Sequence, residues 1–84
     1  MHRIEVIAQR PQGFDVNDVV AQMLGTQHER SLLEFFKARE SVPGVVAVEF
    51  RLDGGVGQAE VRDVTARLEQ TPLVTIEKVT AQAV

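Results

Sequence analysis

Cysteine is absent from this chain, and so are tryptophan and tyrosine. Without cysteine there is no disulfide frame, no thiolate nucleophile and no zinc knuckle. The aromatic complement is four phenylalanines, too thin for a base-stacking surface. Positive charge is scarce as well: nine Lys and Arg against twelve Asp and Glu give a net charge of −3, with the cations scattered from Arg3 to Lys78. Such a chain repels a phosphate backbone, so nucleic acid is excluded as a partner. Long apolar runs are missing too. The longest uncharged stretches, Val19 to His28 and Ser41 to Val48, fall far short of a bilayer, and Glu5 sits where a signal peptide would be apolar. Contact with a membrane would require a segment outside this chain.

What is present is the composition of a folded domain, 44% hydrophobic and 25% charged, with 6 Gly and 3 Pro. At 84 residues it accommodates one core and one binding surface. Ile4, Val6 and Ala8 alternate with polar neighbours, the period of a half-buried strand, and Ile7 stands on the outer side. Pro11 and Gly13 end that strand. Asp15 is an N-cap, and Val16, Val19, Val20, Met23 and Leu24 follow at helical spacing up to Gly25. Residues 29–40 admit two readings. Thr26 and Glu29 make a capping-box pattern for a helix, whereas the turn at Pro43-Gly44, leading into Val46, Val48, Phe50 and Leu52, favours a strand paired back on 44–53. The strand is preferred because the hairpin supplies an immediate antiparallel partner. In that reading Leu32, Phe36 and Ala38 share one side and Leu33, Phe35 and Lys37 the other. A glycine loop at Gly54, Gly55 and Gly57 precedes a helical stripe of Val61, Val64 and Leu68, ended at Thr71-Pro72. Val74 and Ile76 open a last strand whose alternation slips at Lys78 and Val79, as at a bulge.

The order β-α-β-β-α-β predicts an α+β, ferredoxin-like fold: a four-stranded antiparallel sheet with two helices on one face, as one domain over residues 1–84. Alternation then places Ile7, Leu33, Phe35 and Val45 on the open face, with Val79 beside them, an interface for a second copy or a partner protein.

Candidate chemistry is sparse. His2 and His28 have no second ligand at a metal-binding spacing, and Ser31 and Ser41 have no base near them in sequence. Asp15 with Asp18 belongs to a helix start, and Glu60 with Asp63 to a solvated face. Asp53 among its glycines lacks both the lysine of a phosphate loop and the oxygen ligands of a calcium loop. No catalytic set, metal site or cofactor is therefore expected. The remaining candidate is the loop Pro11, Gln12, Gly13, Phe14 and Asp15, where a glycine lets backbone approach a ligand and a helix start offers N–H groups to a small anion.

The segment Arg10-Pro11-Gln12-Gly13-Phe14-Asp15-Val16 resembles the β1-to-α1 loop of ACT domains, with Gln12 separating Pro11 from Gly13. That likeness implies an amino-acid ligand at a dimer interface. The opening Arg3-Ile4-Glu5-Val6-Ile7-Ala8-Gln9-Arg10-Pro11 and the closing Val64 to Val74 resemble the C-terminal ACT-like domain of the MgtC/SapB family of bacterial membrane proteins. This second resemblance implies a regulatory, dimerising module on the cytosolic side of the inner membrane, linked to magnesium limitation. An accessory subunit of an enzyme complex is the remaining expectation from another class.

Overall fold

In the computed structural model, which covers residues 1–84, β1 spans His2–Gln9, α1 Val16–Leu24, β2 Glu34–Val42, β3 Val45–Leu52, α2 Gln58–Glu69 and β4 Thr75–Ala83. The strands form one sheet in the order β2-β3-β1-β4, and each neighbouring pair is antiparallel. The ferredoxin-like fold expected from the element order is the one observed.

The core follows from the alternation. Ile4, Val6 and Ala8 of β1 and Val46, Val48, Phe50 and Leu52 of β3 point to the helix side and are buried. Against them pack Val19, Val20 and Met23 of α1 and Val61, Val64 and Leu68 of α2. The first helix starts where its cap demands. The Asp15 carboxylate accepts the Asp18 N–H at 2.8 Å, and the Asp18 carboxylate accepts the Asp15 N–H at 2.9 Å, a reciprocal box. It stops at Gly25, whose N–H donates to the Ala21 carbonyl, and the Thr26 hydroxyl donates to the Met23 carbonyl at 2.7 Å. At the end of α2 the Thr71 hydroxyl does the same for Leu68, at 2.6 Å.

Residues 29–40 are not wholly a strand, nor are they a helix. Thr26 to Leu33 is irregular, with a turn in which the Ser31 N–H donates to the His28 carbonyl, and the strand begins at Glu34 and continues to Val42. The capping-box pattern at Thr26 and Glu29 starts no helix. Tertiary pairing decides: Glu34 to Val42 has β3 alongside, and that ladder outweighs local helix propensity.

The faces of β2 require a correction. Leu33, expected on the open face, is buried in the core, having turned inward just before the strand starts. Phe35, also expected there, pairs with Phe50 and shares its helix side. The reason is a bulge. Phe35 lies opposite Phe50 and Lys37 opposite Glu49, so Phe36 is the extra residue and the alternation slips by one. A second slip in β4 falls at Glu77, between Ile76 opposite Ala8 and Lys78 opposite Ile7. It turns Val79 to the core, not to the open face. Of the expected interface set, Ile7 and Val45 are on the open face and half-buried.

Candidate interaction surface

Two regions bear on function: the loop after β1 and the outer strand β2. The loop is pinned by one guanidinium. Arg10 donates from Nε and Nη2 to the two oxygens of Glu40, at 2.9 and 3.2 Å, and from Nη1 to the Phe14 carbonyl at 2.9 Å. Glu40 in turn accepts the Gly44 N–H at 2.8 Å, and the Arg10 N–H donates to the Gly44 carbonyl at 2.8 Å. The loop and the β2–β3 hairpin are thus stapled by a fork of charge-assisted bonds. The Arg10 hydrogen bond, and after it the Gly44 N–H, holds the Glu40 carboxyl below its ordinary pKa, while Glu40 raises that of Arg10.

Pro11, Gln12, Gly13, Phe14 and Asp15 do form a continuous turn. The Phe14 N–H donates to the Pro11 carbonyl, and Gly13 takes a φ of 88°, the left-handed backbone that glycine tolerates. Their helix start, however, already holds the carboxylates of Asp15 and Asp18, so an incoming anion meets two negative charges there. Other carboxylates are also engaged in the scaffold: Glu49 with Arg51 and Asp63 with Arg67. His28 lies 3.9 Å from that same Asp63, and His2 is on β1.

The open face of the sheet is mainly charged. Arg3 and Glu5 of β1 lie beside Arg51 and Glu49 of β3, with Glu34, Lys37 and Arg39 of β2 beyond them. Ile7 and Val45 are minor apolar members of this surface, so the broad apolar face expected from the alternation is not what the sheet presents.

Exposed apolar surface gathers along β2 instead. Every residue of this strand except Ala38 is exposed. Leu32, just before it, and Phe35, Phe36 and Val42 within it keep 52, 47, 53 and 54% of their surface in solvent. On the helix side the Phe35 ring meets Phe50 edge to face, with centroids 6.3 Å apart. On the open side Phe36 lies beneath the Arg51 guanidinium, 4.0 Å from the ring centroid, with the Lys37 ammonium at 5.8 Å. Arg51 is held there by Glu49, whose Oε2 accepts from Nε at 2.7 Å and lies 2.7 Å from Nη2 as an ion pair. Phe36 is therefore a presented ring on a fixed cation. A shallow cleft of about 450 Å³ opens at the start of β2 between Leu32, Glu34, Arg51 and Asp53.

The sequence reading did not find Phe36 as an open-face residue. The only trace of the bulge is the adjacent pair Phe35-Phe36, which fits a slipped strand and a regular one equally. Nor did it find the Arg10–Glu40 staple, whose members are thirty residues apart.

No protein-family model matches the chain, and no curated protein sequence matches it significantly. Among solved structures, the solution structure of the C-terminal domain of the MgtC protein from Mycobacterium tuberculosis is similar in fold. The TM-score is 0.59 at 16% identity, over 99% of this chain and 85% of that one.

Proposed function

We propose that this chain is a non-catalytic regulatory domain that acts by binding protein along β2. In its full protein it is the cytosolic C-terminal part of a membrane protein of the MgtC/SapB kind, linked to magnesium limitation. The observation that carries the interaction reading is the exposed row Leu32, Phe35, Phe36 and Val42 on a strand with only one neighbour. A lone exposed leucine is ordinary, but Phe36 and Val42 on the open side of one edge strand, Phe35 on its helix side and Leu32 just before it leave apolar area on both faces of that edge, which gains from being covered. Support for the wider context is the fold likeness to the MgtC domain across nearly the whole chain. No helix is long and apolar enough to cross a membrane, so anchoring through a helix would fall to another segment. The engaged carboxylates Asp15, Asp18, Glu40, Glu49 and Asp63 favour a scaffold over a reaction centre, because each has a structural partner.

The test is complementation in the source organism under magnesium limitation, with Phe36→Glu introduced into the full-length protein. Growth should fall to that of the deletion strain while the isolated variant domain keeps its wild-type melting temperature. Wild-type growth by a Phe36→Glu, Val42→Glu double variant would overturn the reading.

A further inference from the structure

We propose that the open face of the sheet is a docking surface for an anionic lipid bilayer, carried by cations that the fold gathers from all four strands. The contact is separate from protein binding along the β2 edge and does not depend on it.

Along the chain the cations are scattered and outnumbered, but the sheet sorts them. Strand alternation puts Arg3 of β1, Lys37 and Arg39 of β2, Arg51 of β3 and Lys78 of β4 on the open side, with Glu5, Glu34 and Glu49 as the carboxylates among them. Five cations against three carboxylates give this face +2, and with the chain at −3 overall the remaining surface carries −5. Adding Glu77, the extra residue of β4, leaves the face positive. That excess is free to act. Glu49 is taken by Arg51, whereas Arg3, Lys37, Arg39 and Lys78 enter no ion pair within the chain, and the Arg3 guanidinium donates only to the neutral Gln82 amide oxygen. Screening keeps the two signs from cancelling. The thinnest Cα extent of the molecule is 17 Å and the Debye length at physiological salt is about 8 Å, so a charged surface in front of the sheet responds mainly to the face it meets.

The face is broad and shallow. Its two hollows, one among Glu5, Lys37, Arg39 and Glu49 and one among Arg3, Glu5, Lys78 and Thr80, hold only about 140 and 230 Å³, below what encloses a small molecule. Fixed anions fit it poorly too. A nucleic-acid duplex or an acidic protein presents charges at set spacings and brings some of them against Glu5 and Glu34. Anionic lipids diffuse in their leaflet, so they collect beneath Arg3, Lys37, Arg39 and Lys78 and leave the carboxylates facing neutral headgroups. Phe36 stands at the β2 rim of this face, 53% exposed beneath Arg51 and close to Lys37, with Val42 farther along the same strand. A ring flanked by cations suits the headgroup boundary, where the ring enters the acyl edge and the cations stay with phosphate.

The experiment uses the chain itself, with vesicles of phosphatidylcholine containing roughly a quarter phosphatidylglycerol, read by cosedimentation. The chain should bind these vesicles at low salt, leave them at about 1 M salt, where the Debye length is about 3 Å, and ignore pure phosphatidylcholine. Arg3→Glu with Lys78→Glu leaves the edge strand β2 untouched and should weaken binding about a hundredfold or more, at about fivefold for each of the four charge units changed. Glu5→Gln should tighten it about fivefold, a salt-sensitive gain that loss of the fold does not give. Arg62→Glu on α2 should change it less than about twofold, circular dichroism having confirmed the fold of each variant. Equal binding to both kinds of vesicle, no binding to the anionic ones, or a loss in Arg62→Glu as large as in the double variant would overturn the proposal. Binding of polyglutamate or of a DNA duplex in preference to the anionic vesicles would overturn it as well, giving the face to an acidic protein or to nucleic acid.

Discussion

The sheet ends in two outer strands of equal length, β2 and β4, each nine residues long, with two register slips in β2, at Phe36 and Ser41, and one in β4. In β4 the bulge at Glu77 turns Ile76 and Val79 toward the helices, where both pack against the core. Its open-side residues, Lys78, Thr80 and Gln82, are polar, and Gln82 accepts from Arg3 at 2.6 Å. In β2 the bulge at Phe36 also restores the helix-side phase, but Phe35 remains half in solvent and Phe36 and Val42 more so. The same device therefore completes the core at one edge and leaves an unfilled apolar strand at the other. The face explains this: the apolar side chains of β4 lie under the helix layer, whereas in β2 only Phe35 is on that side and Phe36 and Val42 are on the uncovered one.

That contrast is open to direct attack by substitution. The largest effect should come from β4: Val79→Asp sets a carboxylate against the core and should cost about 2 kcal/mol or more in chemical denaturation. Phe36→Glu in β2, exposed on the far side, should cost less than about 1 kcal/mol in the same assay. Similar losses at the two sites would erase the distinction between a structural edge and a free one.

A smaller effect concerns the staple that holds β2 to the loop. The folded-state pKa of Glu40 is depressed, so its contribution to stability is present above the unfolded carboxylate pKa of about 4.3 and is lost as pH falls through the folded value. Below about pH 4 the wild type should therefore lose stability more steeply than Glu40→Gln, whose Arg10 contact does not titrate there. Parallel curves would mean that solvent screens the Arg10–Glu40 pair completely.

The smallest effect lies at the entrance to β4. Leu73 is exposed and holds a φ of 66°, a left-handed conformation that a leucine adopts at a steric cost. Leu73→Gly should relieve part of a penalty of about 1 kcal/mol and raise the melting temperature by a few degrees, net of glycine's greater unfolded freedom. A lower melting temperature would show that the Leu73 side chain is held by contacts worth more than the strain.

Much of the architecture was legible before any coordinates. The core positions of β1, α1, β3 and α2 follow from periodicities of two and 3.6 in long, clean runs, and the capping at Asp15 from residue type alone. The loop from Pro11 to Asp15 was placed correctly. Its helix start is less inviting than it looked, because Asp18 closes the box on Asp15. The surface was read less well. Leu33, Phe35 and Val79 lie on the face opposite to the one expected: the slip in β4 shows in the sequence near Lys78 and Val79 but falls at Glu77, the extra residue in β2 leaves the alternation ambiguous, and Leu33 precedes the strand.

By itself, then, the amino-acid sequence determined β1, α1, β3, α2 and β4, the order in which they run, and the buried side chains of β1, α1, β3 and α2, because those are set by local periodicity, caps and turns. Only the tertiary structure decided where β2 begins, which way its two phenylalanines point, and that Arg10 reaches Glu40. Those outcomes depend on the register between strands distant in sequence, where one unpaired residue, Phe36 against β3, inverts the face of Lys37 to Glu40 and a second slip at Ser41 inverts it again.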